Sequence, residues 1–166
     1  MVAYFLDSSA ILKRYHWEPG SAWMRAICDS RTHPPLYISR LAQLEVVASL
    51  RRTGQLKGFH PSAINSMVSR FERHIALSDT KLSEPHYIIV PVADLIIDLA
   101  SDLCDQYWQT PPHLRSLDAI QLACAASAAA NLPTGALELV TADTRLAAIA
   151  RQEGFTTINP AFAPLP

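Results

Sequence analysis

Cysteine is scarce and scattered: Cys28, Cys104 and Cys124 are far apart, odd in number and without C-x-x-C spacing. This pattern excludes a disulfide framework and a structural zinc site, and it suits a reducing compartment, with the cytoplasm as the expected location. Charge is scarce too. Asp, Glu, Lys and Arg make up 17% of the 166 residues and balance to -1, so no overall positive field holds a nucleic acid, and a phosphate-bearing substrate has to be met locally. The N-terminal segment lacks the basic residues of a secretion signal, and Asp7 interrupts its apolar run, so no signal peptide is expected. No stretch approaches the ~20 apolar residues of a membrane span. Internal repeats, low-complexity tracts and linkers are lacking as well.

What the chain has in quantity is apolar side chains, 49% of the total, so much of it must be buried on both sides of a layer. Its length suits one domain with a real core, expected over residues 1–159, followed by an extended tail at 160–166 that carries three prolines. Short apolar runs at 2–6, 36–39, 87–90, 137–141 and 156–158 read as strands, and their lack of polar alternation fits a sheet covered on both faces. Helical patterns lie between them. Ser8 or Ser9 caps a short helix ending at 15, Gly20 and Ser21 start another to about 30, and 40–53 and 61–76 form an αα-hairpin around the breaker TGQLKGFHP. Further helices are predicted at 93–106, at 117–130 with Ser116 as cap after the loop 108–116, and at 143–153 with Gly154 as stop. Strands alternating with helices predict an α/β fold with a parallel sheet.

In such a sheet ligands bind outside the carboxyl ends of the strands, where the connection order reverses. Asp7 follows the first strand and Asp143 the fourth; Glu45 lies in the helix after the second; Asp118 opens the helix that feeds the fourth. Each acid alone has a local explanation. Asp7 can cap a helix, Glu45 can be a solvated helix position, Asp118 can complement a helix dipole, and Asp143 can start a helix. Together they converge on one rim, where carboxylates repel and raise one another's pKa unless a cation sits among them. Hard oxygen ligands without clustered His or Cys point to Mg²⁺ or Mn²⁺ rather than zinc. A metal-bound water with lowered pKa attacks a phosphodiester, so the implied chemistry is phosphodiester hydrolysis.

The ordered blocks YFLDSSAILKRY, ISRLAQLEVVASLRR, LRSLDAIQLACA and LELVTADTRLAAIARQEGFTTINP resemble PIN-domain endoribonucleases, in particular the VapC-type toxins of toxin–antitoxin pairs. Position by position, the resemblance implies an acidic quartet of Asp7, Glu45, Asp118 and Asp143 serving as catalytic residues and Mg²⁺ or Mn²⁺ ligands, with Ser9 and Thr141 holding the carboxylates or water. It also implies a three-layer α/β/α sandwich with a central parallel sheet ordered 3-2-1-4-5, a homodimer, and an antitoxin partner docking on the hairpin at 40–76. Many relatives carry another acid close after the fourth; this chain has Thr144.

Lys13, Arg14, Arg40, Arg51, Arg52 and Arg115 lie on segments flanking the rim, and Arg115, three residues before Asp118, is the best candidate to meet an RNA phosphate. Each basic residue alone reads as a solvated surface charge. Trp17, Trp23 and Trp108 read as core or interface residues before base-stacking ones, and the six histidines show no ligand spacing. A haloacid-dehalogenase-type phosphatase also places an acid after its first strand, but needs a second acid where this chain has Ser9. The alternative in a different class is a catalytically idle PIN-like module that binds RNA or protein; an intact acid quartet weighs against it.

Overall fold

The five apolar runs become strands in the computed structural model, which describes residues 2–30, 34–76, 87–109, 111 and 113–165. They are β1 (Ala3–Leu6), β2 (Leu36–Ser39), β3 (Tyr87–Val90), β4 (Leu137–Val140) and β5 (Thr156–Ile158). All pair in parallel in the order β3-β2-β1-β4-β5. The order reverses between β1 and β4, whose carboxyl ends therefore border the crevice available to a ligand.

Side chains on a strand alternate between faces, and here both faces are apolar. Leu6, Leu36, Ile38 and Val140 join one core cluster, with Ile11, Met24, Val46 and Phe71 from helices above them. Ala3, Phe5, Leu137 and Leu139 join a second, with Ile96, Leu122, Leu146 and Ile149 from helices on the other side. The first helical layer is α1 (Ser8–Tyr15), α2 (Ser21–Asp29), α3 (Arg40–Leu56) and α4 (Pro61–Ala76). The second is α5 (Asp94–Gln106), α6 (Ser116–Ala129) and α7 (Thr144–Gln152). The outcome is the expected α/β/α sandwich with the 3-2-1-4-5 sheet.

Several local expectations need correction. Of the caps the sequence offers for α1, Asp7 takes the place, its carboxylate accepting from the Ser9 N–H, and Ser8 and Ser9 do not. Ser116 is already inside α6, and Arg115 holds the cap position without a side-chain bond; of the loop expected at 108–116, residues 110 and 112 lie outside the described residues. The first hairpin helix runs through Leu56 instead of stopping at 53, because the packing of α3 on α4 outweighs the helix-propensity cost of Gly54, whose missing Cβ leaves room for Ile64. The tail does not leave the sheet extended. Asn159 Oδ1 accepts from the Ala161 N–H at 3.0 Å, and the Asn159 carbonyl accepts from Phe162 and Ala163, making a turn at once.

That turn packs on Gly20, which caps α2 with φ +95°. A Cβ there would stand 2.8 Å from both the Ala161 nitrogen and the Pro160 carbonyl carbon. Gly20→Ala should therefore lower stability by roughly 1–3 kcal/mol, from left-handed strain and a backbone clash together. A wild-type urea midpoint in that variant would contradict both the strain and the clash.

Lys13 and Arg14 are not surface charges. The Lys13 ammonium pairs with Glu18 at 2.9 Å, its side chain almost covered. Arg14 is 1% exposed; it donates to Asp29 Oδ1 from Nε and Nη2 at 3.1 and 2.7 Å and to the Tyr87 hydroxyl from Nη1 at 2.9 Å. Tyr87 in turn meets the Tyr15 hydroxyl at 3.1 Å, and Tyr15 meets His74 Nδ1 at 2.7 Å. This polar chain ties α1, α2, α4 and β3 together and takes Arg14 out of reach of a substrate, while Lys13 is engaged by Glu18.

Candidate functional site

The strand β1 ends at Leu6, and the chain turns immediately into α1, so the capping residue Asp7 sits at the carboxyl edge beside β4. It is 4% exposed. Its Oδ2 accepts from the Ser9 N–H at 3.2 Å, the Ser9 hydroxyl at 2.6 Å and the Thr141 hydroxyl at 3.0 Å. Each hydroxyl has one proton, and both are spent on Asp7. As acceptors, Ser9 Oγ takes the Ala142 N–H at 2.9 Å and Thr141 Oγ1 takes the Asp143 N–H at 3.0 Å. The Asp7 carboxylate is thus locked to the loop after β4. Among the described residues its Oδ1 receives only a long 3.4 Å contact from Ser8, which leaves lone pairs for another ligand.

Asp143 caps α7, its Oδ1 accepting from the Arg145 and Leu146 N–H groups at 2.7 and 3.2 Å, while its Oδ2 stands 3.6 Å from the Arg145 guanidinium. Asp118 lies in the first turn of α6, partly buried. Burial first, then the charges of Asp143 and Asp7, push its carboxyl up to about 6, against the smaller opposite pull of Arg115 and Arg145. Glu45, on α3, is pushed up to about 7 by burial, with Asp7 and Asp118 adding to the rise and hydrogen bonds from Gln121 Nε2 and, more weakly, the Ser8 side chain opposing it. The four predicted acids therefore feel one another across one rim. Among the described residues, however, no three His, Cys, Asp or Glu side chains are close enough together to hold a metal ion as they stand.

The donor set still fits a hard divalent cation. It is all carboxylate, the charges of its other members raise the carboxyl pKa of Glu45 and of Asp118, and Asp7 is buried with an oxygen unspent; a cation among them would relieve that repulsion. Arg115 is exposed at the start of α6, beside Asp118. Two neighbours escaped the sequence reading. Arg145 was legible as the basic residue two places after Asp143, and Gln121 as the amide in an otherwise apolar helix.

Without metal, Glu45 and Asp118 hold their protons to higher pH in the folded than in the unfolded chain. Between about pH 4 and pH 7 the folded state binds the extra protons, so their contribution to stability falls as pH rises through that window. In chelator, Asp118→Asn should lessen the fall in melting temperature from pH 5 to pH 7.5 by roughly 2–6 °C. Comparison with wild type isolates Asp118 from His16, whose pKa is lowered by burial and Lys57 and which titrates with the opposite effect. Parallel pH profiles for the two proteins would contradict the shift.

The PIN domain family model matches residues 4–152. Three solved structures share the fold. A FitAB complex bound to an IR36 DNA fragment is 15% identical, with a TM-score of 0.65, covering 97% of each chain. FitAcB from Neisseria gonorrhoeae is 16% identical, with a TM-score of 0.63, covering 96% of this chain and 99% of that one. VapBC-5 from Mycobacterium tuberculosis, of the VapBC family of toxin–antitoxin systems, is 19% identical, with a TM-score of 0.54, covering 96% and 99%. A search of curated proteins gives no match. With most of its length matched by one family model, and with the sheet order that its sequence resemblance implied, the chain belongs to the PIN domain family.

Proposed function

We propose that this protein is a Mg²⁺- or Mn²⁺-dependent endoribonuclease that hydrolyses RNA phosphodiester bonds, and that it serves as the toxin of a toxin–antitoxin pair. The observation that carries the reading is Asp7: a buried carboxylate at the point where the sheet order reverses, fixed by Ser9 and Thr141, with Glu45, Asp118 and Asp143 around it. PIN domains are generally nucleases. The likeness to VapBC-5 and the VapC-like sequence blocks support the toxin assignment.

Asp7, Glu45, Asp118 and Asp143 would hold the metal. Bound there, Mg²⁺ or Mn²⁺ supplies Lewis acidity toward the phosphate and a water acidic enough to act as nucleophile. Ser9 and Thr141 keep Asp7 oriented by giving it both hydroxyl protons. The α7 N–H groups and Arg145 hold Asp143. Arg115 meets a substrate phosphate and fixes its position without reading sequence. The partly exposed rim formed by Glu45, Asp118 and Asp143 admits a polymer from the side. The α3–α4 hairpin, with Leu44 and Leu56 exposed, is the surface proposed for an antitoxin, and a homodimer is the proposed assembly.

The test is cleavage of total RNA with Mn²⁺ or Mg²⁺, with and without chelator, by wild type and Asp118→Asn. Cleavage by wild type alone, abolished by chelator, is the expected result. Equal cleavage by both proteins would refute the site, and no cleavage by either would favour the idle binding module. For the toxin role, expression should arrest growth, and Asp7→Asn should relieve the arrest.

A further inference from the structure

The helix α6 runs from the rim into the core, and its buried residues are Ala119, Leu122, Ala123, Cys124, Ala125, Ala128 and one amide, Gln121. Gln121 is 1% exposed. It lies one turn beyond Asp118, and its Nε2 donates to Glu45 Oε2 on α3. Its Oε1 is buried without a hydrogen-bond partner among the described residues. An amide satisfied at only one end is a poor choice for stability, because a buried polar atom without a partner loses its hydration for nothing. Leucine or methionine would fill the same space at no such cost. The bond that Gln121 does make must therefore account for its presence.

Of the two side chains that hydrogen-bond Glu45, Gln121 and Ser8, Gln121 has the larger effect. The Glu45 side chain is long and rotatable, and it faces the negative charges of Asp7 and Asp118, which favour rotamers pointing away from the rim. The bond to Gln121 runs between the two helical layers, from α6 to α3 across the end of the sheet. Building on the metal-site reading above, we propose that Gln121 is a positioning residue: its amide N–H holds Glu45 at the rim against repulsion by Asp7 and Asp118, so that Glu45 is in place for the cation. The amide touches neither substrate nor metal; it acts through Glu45. Partners that orient metal ligands in this way typically contribute tenfold to hundredfold in metal affinity.

The experiment uses the full chain with Gln121→Met and Gln121→Leu, measuring Mn²⁺ affinity by calorimetry and melting temperature in chelator. The expected result is a melting temperature at or above wild type, together with Mn²⁺ binding about ten- to a hundredfold weaker. Thermodynamic coupling gives a readout that packing alone would not move. In a Glu45→Gln background, Gln121→Met should change Mn²⁺ affinity by less than about threefold, because the bond it removes serves the Glu45 carboxylate. Wild-type Mn²⁺ affinity in Gln121→Met would overturn the proposal while leaving the metal site standing. Failure of both variants to fold would also overturn it, by making the amide structural. Absence of Mn²⁺ binding by wild type itself would instead bring down the metal-site reading and this proposal with it.

Discussion

Asp7→Asn should slow RNA cleavage by about 10²–10³-fold while leaving the melting temperature near that of wild type. Asparagine caps a helix as well as aspartate does, and its side-chain oxygen can accept the same bonds that Ser9 and Thr141 give to Oδ2. The substitution therefore removes the charge and keeps the local structure. Asp7→Ala should lose activity to the same extent and also about 1–3 kcal/mol of stability, since the cap is gone and the buried Thr141 hydroxyl and the partly buried Ser9 hydroxyl lose their acceptor. Initial rates on RNA with Mn²⁺, beside thermal melts of the three proteins, separate the two roles. Near-wild-type cleavage by Asp7→Asn would reduce Asp7 to a cap.

The largest effect on folding is expected at Arg14, far from the chemistry. Arg14→Ala should cost about 3 kcal/mol, combining a cavity in place of a fully buried side chain with loss of the donors to Tyr87 and Asp29. Asp29 is 44% exposed on its side chain and can turn to water, which keeps the cost below that of a wholly buried pair. Arg14→Met refills most of the volume and should recover part of the loss. Urea midpoints measure both, and a midpoint for Arg14→Ala within experimental error of wild type would show that α1, α2, α4 and β3 hold together without the polar chain.

The sheet was legible because its signal is local. The runs at 36–39, 87–90 and 156–158 coincide with β2, β3 and β5; the interior β2 is covered on both faces and so is apolar along its length, while the edge strands β3 and β5 were marked by their aromatic and β-branched residues. The positions of the acids were legible for a related reason: Asp7 and Asp143 follow the ends of β1 and β4, and Glu45 and Asp118 lie in the early turns of α3 and α6, segments that a parallel α/β sheet places near its carboxyl edge whatever they pair with. What the pattern does not carry is pairing between distant segments. Nothing local says that Thr141 gives its proton to Asp7 or that Gln121 reaches Glu45. Arg14 shows a signal that was present and discounted. It follows the buried Ala10 and Ile11 by four and three positions, which puts it on the inward face of α1; its charge argued for the surface, and Asp29 and Tyr87 decided otherwise. Ser116 shows the reverse, a favoured capping residue placed one position too late, after the backbone at Arg115 had already made the turn.

The central claim is that four acids from four separate segments share a divalent cation. Diffraction from crystals soaked in Mn²⁺, recorded for its anomalous signal, tests this most directly. The account predicts a peak within coordination distance of Asp7 and of at least one among Glu45, Asp118 and Asp143, absent in Asp7→Asn crystals soaked alike. A peak only elsewhere on the protein, or none here at saturating Mn²⁺, would contradict it.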